Sequence, residues 1–217
     1  MSETLSLLIR IAVVTVVALV PLINPAGTAP IFLSLTTGQS DRARATLAWR
    51  IARNALALLA GAALGGSSLL LFFGLSLAEI RIAGGLLVIA TAWHLVHTDQ
   101  RPDAAITALS RRDANDLAHA FYPLTFPVTI GPGSLAIAVT LGAGAGDGAR
   151  VTTLIGAVAG LVVVSLTIYL CYRFAARAAR MLGDAGTLVL LRLSAFILLA
   201  VGVKILSDGL ADRFTAG

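Results

Sequence analysis

Six long apolar stretches, separated by short polar connections, leave this chain little choice of fold. They cover roughly residues 5–36, 51–73, 78–97, 120–141, 151–172 and 187–207. A helix that spans a bilayer needs about 20 mainly apolar residues. Lipid offers no hydrogen-bond partners, so only helices and closed barrels can cross it. Composition agrees: 58% of the 217 residues are hydrophobic, 12% are charged, and the mean hydropathy is +0.91. Soluble domains carry about 25% charged residues. The expected fold class is therefore an all-α membrane protein with six transmembrane helices. The N-terminal stretch begins with both Glu3 and Arg10 and runs on past a proline motif, so it reads as the first helix and not as a cleaved signal.

The net charge of +5 does not point to nucleic acid. The basic residues sit in connections between apolar stretches, where they set orientation. The odd connections hold Arg42, Arg44, Arg50, Arg101, Arg111, Arg112, Arg173, Arg177 and Arg180. The even connections and termini hold fewer, namely Arg10, Arg81, Arg150, Lys204 and Arg213. Cytoplasmic loops are enriched in Lys and Arg, so both termini are expected on the periplasmic side. The lone cysteine, Cys171, rules out an internal disulfide and a cysteine metal site, and reads as a small apolar helix residue.

Inside the first stretch a proline skeleton runs from Pro21 to Pro30, and it returns at a constant offset from Pro123 to Pro132. Pro21 meets Pro123, Leu22 meets Leu124, Pro25 meets Pro127 and Pro30 meets Pro132. Proline removes a backbone donor and clashes with the preceding turn. In lipid that defect survives only where protein or a water-filled cavity surrounds it. The chain thus divides into two three-helix repeats, 1–97 and 120–217, joined by a polar cytoplasmic linker over 98–119. The linker balances Arg101, Arg111 and Arg112 against Asp99, Asp103, Asp113 and Asp116, and carries no chemistry. A repeat of odd length enters the membrane in the opposite direction from its twin. The expected architecture is two inverted repeats with broken helices 1 and 4, an arrangement found in many secondary transporters. Gly61 to Gly65 and Gly156 to Gly160 add a Gly-x-x-x-Gly to each half, a spacing compatible with close helix contact or self-association.

The two breaks are the candidate substrate site. The first supplies Asn24, Pro25, Gly27, Thr28 and Pro30. The second supplies Thr125, Pro127, Thr129, Gly131, Pro132, Gly133 and Ser134. The prolines and glycines unwind the helix, and Asn24, Thr28, Thr125, Thr129 and Ser134 offer polar groups. A half-helix starting after each break would aim free N–H groups and its positive dipole end toward the membrane centre, where a carboxylate fits. Unwound carbonyls suit an ammonium group or a sodium ion. A zwitterionic amino acid satisfies both.

Other polar residues read more plainly. Asn54 fits a helix-to-helix hydrogen bond, and His94 an interfacial histidine. Glu79 and Arg81 suggest a local ion pair. Arg192 and Lys204 suggest snorkelling side chains. No Asp or Glu lies deep in any stretch, so ion coupling would use a sodium ion held by carbonyls and hydroxyls, or a proton carried by another group. No phosphate-binding loop, metal cluster or nucleophile–base pair is present in the sequence, so neither an enzyme nor a bound cofactor is expected.

Three sets of residues resemble the MarC family of bacterial inner-membrane proteins. They are Asn24-Pro25-x-Gly27-x-x-Pro30-x-Phe32-Leu33-x-Leu35-Thr36, then Phe73-Gly74-Leu75-Ser76 with Arg81-Ile82-Ala83-Gly84-Gly85, and last Pro123-Leu124-x-x-Pro127-x-x-x-Gly131-Pro132-Gly133-Ser134. The resemblance covers almost the whole chain. The resemblance implies six spans in the inner membrane and, for some members, transport of small neutral amino acids such as glycine and alanine. The chain departs from the family pattern at Ala195 and Lys204 in the last span, where a glycine and a glutamine are usual. A Lys204 facing the cavity would alter charge selectivity. The rival readings are a channel or facilitator, an exporter of another small solute, and a membrane interaction protein that transports nothing.

Overall fold

The computed structural model describes residues 2–97, 120–143 and 150–215, and the linker over 98–119 lies outside them. The described residues are helical, with no strand among them. In chain order the helices are α1 (Ser2–Ile23), α2 (Pro25–Leu35), α3 (Asp41–Phe73), α4 (Leu77–His97), α5 (Ala120–Thr129), α6 (Pro132–Ala143), α7 (Arg150–Arg173) and α8 (Ala175–Thr215). Five segments among the described residues are long and apolar enough to cross a membrane: Glu3–Ile23, Asp41–Gly66, Leu77–His94, Val151–Arg173 and Ala185–Phe214. The α5–α6 pair, bent by 79°, makes a sixth if it counts as one span.

Local chemistry explains most helix ends. Ser40 caps α3 by accepting from the Ala43 amide at 3.2 Å, and the chain leaves α3 through Gly74 in the left-handed region at φ 65°. Ser76 and Glu79 form a reciprocal box at the start of α4. The Ser76 amide donates to the Glu79 carboxylate at 2.7 Å, and the Glu79 amide donates to the Ser76 hydroxyl at 3.3 Å. Two helices run past the apolar stretches that mark them. Helix α3 begins at Asp41 and carries Arg42, Arg44, Arg50 and Arg53 on its early turns. Helix α8 begins at Ala175 and continues to Thr215, with one irregular residue, Gly183, at φ 65°. In both cases an amphipathic run extends the helix beyond the apolar part. Helix α1 alone, at about 1.5 Å per residue, is long enough to span a hydrocarbon core, so Asn24 lies past its middle.

The helices pair across the sequence. Helix α4 lies along α8, α1 along α7, and α3 against α6 and α7. Helix α2 packs on α7 and α8, and α6 packs on α4. Glycines set the closest approaches. A Cβ at Gly160 would meet the Ala12 carbonyl at 2.7 Å and Thr15 at 2.6 Å, and one at Gly142 would overlap the Ala63 carbonyl. Among the described residues, nothing lies where a Cβ of Gly61 or Gly65 would go. The α4–α8 pair is antiparallel: Gly209 sits against Arg81 and Ile82, Gly85 against Leu206, and Gly202 against Ile89. Ion pairs close one end of it, Arg213 to Glu79 at 2.7 Å and Arg81 to Asp212. Glu79 and Arg81 therefore each pair with the far end of the chain rather than with one another, because the antiparallel packing delivers opposite charges to both.

Among the described residues a buried cluster runs through the middle and includes Leu19, Phe32, Ile51, Leu59, Ile130, Leu161, Val164 and Ile168. The outer surface is apolar as well, with Leu71, Phe72, Val151, Phe196 and Val189 exposed, as a lipid-facing surface requires. On that surface Trp49 of α3 meets Tyr169 of α7 edge-on, with centroids 5.8 Å apart.

Candidate functional site

The chain is interrupted at Asn24, which adopts φ 50° and ψ 57°. Asparagine is among the few residues with a side chain that tolerate this left-handed conformation. The Asn24 amide still donates to the Val20 carbonyl at 2.8 Å, so α1 closes its last turn before the chain reorients. Pro25 then opens α2 at a position where its missing N–H costs nothing. The Asn24 side chain accepts from the Gly27 amide at 3.1 Å, and its carbonyl accepts from the Thr28 amide at 3.0 Å. The amides of Gly27 and Thr28 are thus taken by Asn24 itself, contrary to the expectation of free donors there. Gly27 is needed for this cap, since a Cβ would collide with the Asn24 side-chain amide.

The second interruption is built differently. Tyr122 and Phe126, the residues before Pro123 and Pro127, are extended at φ −117° and −125°. A residue before proline is pushed into that region by the proline ring. The result is a wide spiral closed five residues back. The Thr125 hydroxyl donates to the Ala120 carbonyl and the Thr129 hydroxyl to the Leu124 carbonyl, both at 2.6 Å. The Ile130 amide donates to the Thr125 carbonyl at 2.8 Å. Helix α6 then starts at Pro132, and the amides of Ser134 and Leu135 both turn back onto the Gly131 carbonyl at 3.1 and 3.3 Å. The Ser134 amide is therefore also occupied by the chain's own backbone.

The two interruptions meet at one atom. The Tyr172 hydroxyl, from the end of α7, lies 3.0 Å from the Thr28 hydroxyl and 2.8 Å from the Thr129 hydroxyl. Tyr172 is 2% exposed, and its ring stacks on Phe32 of α2 at 4.7 Å and 8°. Thr129 already donates to Leu124, so its oxygen accepts from Tyr172. Thr28 can donate to Tyr172 or to its own turn, where the Asn24 carbonyl lies at 3.2 Å. Each hydroxyl supplies one proton, so the three form a directed chain with no charged member. Tyr172 is the last residue but one of α7, which puts the cluster nearer the end of the bundle that holds residues 36–40 than its middle.

The remaining sequence-derived candidates divide clearly. Pro25, Gly27, Thr125, Gly133 and Ser134 are buried; Asn24, Pro30 and Gly131 are half-buried. Pro127 and Pro132 are exposed and shape the chain from outside. A Cβ on Gly133 would overlap Val88, which ties the second interruption to α4. A shallow apolar crevice beside the first interruption is lined by Ala26, Ala29, Pro30, Ala178 and Leu190. Lys204 does not face the cluster: its side chain is 75% exposed and bonds Asp208 one turn on, at 2.9 Å. His94 and Arg192 are exposed and Asn54 is half-buried on α3. Tyr172 was not among the residues the sequence singled out. Its only local signal is a hydroxyl-bearing aromatic at the end of an apolar stretch, the usual mark of an interfacial anchor.

Comparison with known proteins gives a consistent family. The profile described as MarC family integral membrane protein matches residues 9–214. A UPF0056 membrane protein of Archaeoglobus fulgidus is 29% identical over 198 residues, covering 90% of each chain. The UPF0056 membrane protein YvbG of Bacillus subtilis is 29% identical over 193 residues, covering 88% of this chain and 90% of its own. The UPF0056 inner membrane protein MarC of Salmonella typhimurium is 27% identical over 203 residues, covering 90% of this chain and 92% of its own. No solved structure matches. The chain belongs to the MarC family of integral membrane proteins.

Proposed function

We propose that this MarC-family protein is a secondary transporter of small neutral amino acids, of the glycine and alanine class, in the bacterial inner membrane. The observation that carries the reading is the Tyr172 hydroxyl, held between Thr28 of one interruption and Thr129 of the other. Two prolyl-interrupted segments, from halves of the chain separated by a long linker, converge on a buried polar cluster. Polar groups inside a membrane protein are costly and mark pathways. The cluster is uncharged, which favours a solute of zero net charge. The helix pairing fits the inverted-repeat architecture with broken helices 1 and 4: α4 and α8 run antiparallel, and α1 on α7 is matched by α3 on α6. In this reading Asn24, Thr28, Thr125 and Thr129 contact the substrate, and its carboxylate competes for amides around Gly131 to Ser134. Access alternates by rocking one group of helices against the other.

The test is uptake and counterflow of radiolabelled glycine and alanine in proteoliposomes, with sodium and pH gradients applied separately. Saturable counterflow, lost in both Asn24→Ala and Thr129→Ala, is the expected result and identifies the coupling ion. Flux without saturation makes the protein a facilitator. Folded protein with no flux of any neutral amino acid sinks the substrate assignment and favours another solute or a non-transport role.

A further inference from the structure

We infer that Tyr172 is a latch on the transport site and not one of its ligands, and that a substrate must displace its hydroxyl to bind. The inference rests on the transporter reading above and specifies how that site is regulated. Three observations lead to it.

First, the cluster is satisfied without a guest. Thr129 donates to the Leu124 carbonyl, Tyr172 donates to Thr129, and Thr28 has both Tyr172 and its own turn within reach. A hydroxyl kept for a ligand would be left short of partners, since buried polar groups without them are costly. Second, the ring is held by something else. Stacking on Phe32 at 4.7 Å fixes Tyr172 against α2, so the hydroxyl is aimed at the two threonines with no substrate to hold it there. Third, the hydroxyl bridges the two interruptions. Thr28 and Thr129 both reach Tyr172, which belongs to α7. With those two bonds broken, each threonine still keeps a backbone acceptor in its own segment. The substrate class follows from the donors and acceptors released: two threonine hydroxyls, with no charge to offset. A small solute carrying both a donor and an acceptor, and no net charge, replaces the tyrosine oxygen at least cost.

Tyr172→Phe separates a latch from a ligand. Phenylalanine keeps the stack and leaves no threonine hydroxyl without a partner, so the fold is retained. Removing the latch enlarges the population able to bind, and apparent affinity scales with that population. The half-saturation concentration for glycine in proteoliposomes is expected to fall roughly threefold to tenfold, the range that one or two net hydrogen bonds support. A rise in half-saturation makes Tyr172 a ligand and overturns the inference. A second readout needs no substrate. In a Cys171→Ala background, Ser134→Cys reports access to the buried second interruption through its labelling rate with a membrane-impermeant charged maleimide. Adding Tyr172→Phe should speed labelling about threefold or more. Unchanged labelling overturns the latch even if transport is intact. Faster labelling in protein that moves no neutral amino acid supports the latch and refutes the substrate assignment. If Tyr172→Phe does not give monodisperse protein, Thr129→Val breaks the same bond from the other side and should accelerate labelling alike.

Discussion

At Gly27 one methyl group is enough to disturb the first interruption. The space a Cβ would need is filled by the Asn24 side chain, which caps α2 through the Gly27 amide. Gly27→Ala is expected to lower stability by about 1–2 kcal/mol, the usual worth of a lost N-cap, and to lower the melting temperature of the purified protein accordingly. Asn24→Ala should cost about as much, through both the cap and the left-handed backbone, and Asn24→Gly should recover the backbone share. These residues were legible in the sequence because their chemistry is local: proline after a cap residue, glycine where a side chain must fit. Thr28 and Thr129 were legible for the same reason. Tyr172 was not, because its role comes from partners 144 and 43 positions away. Nothing in the pattern of α7 distinguishes it from an aromatic anchor at the membrane surface.

Among the helices, the glycines sort by what they face. Gly160 and Gly156 let α7 touch the backbone of α1, whereas a Cβ at Gly61 or Gly65 of α3 would meet nothing among the described residues. Gly160→Leu should therefore lower the melting temperature markedly, since forcing bulk into a closed contact costs about 1–3 kcal/mol or more. Gly61→Leu should leave the melting temperature within about 0.5 kcal/mol equivalent of the parent. Loss of an oligomer on Gly61→Leu, read by light scattering in detergent, would show that the open α3 face is covered by a second copy. The positions of the apolar helices were readable from run length, but their ends were not. Helix α3 starts at Asp41 because Ser40 caps it and arginines on its first turns carry it beyond the apolar part. Hydropathy sees only the apolar part. The α5 spiral was equally hidden, since two prolines announce an interruption without saying whether it bends, kinks or unwinds.

For the molecule as a whole, the antiparallel α4–α8 pair brings the start of α4 to the end of the chain. Arg81→Glu places two negative groups together at Asp212, and the combined Arg81→Glu, Asp212→Arg exchange should restore most of what is lost. The side chains are partly exposed, so the difference is expected at about 0.5–1 kcal/mol, read by thermal unfolding at low salt and reduced at high salt. The orientation inferred from the arginine distribution makes its own prediction. Reporter fusions at either terminus should be active only on the periplasmic side, and a fusion within residues 36–40 only in the cytoplasm. Cytoplasmic activity of both termini would reverse the direction assigned to the bundle.

The contact between Trp49 and Tyr169 gives the protein an optical handle on its own motion. The chain has two tryptophans, and Trp93 lies on α4 beside His97. With Trp93→Phe, ultraviolet emission comes from one indole on α3, 5.8 Å from a ring on α7 that sits three residues before Tyr172. Any displacement of α7 that frees the Tyr172 hydroxyl also changes the surroundings of that indole. The intensity and colour of its fluorescence then follow the bundle in real time, with no dye attached.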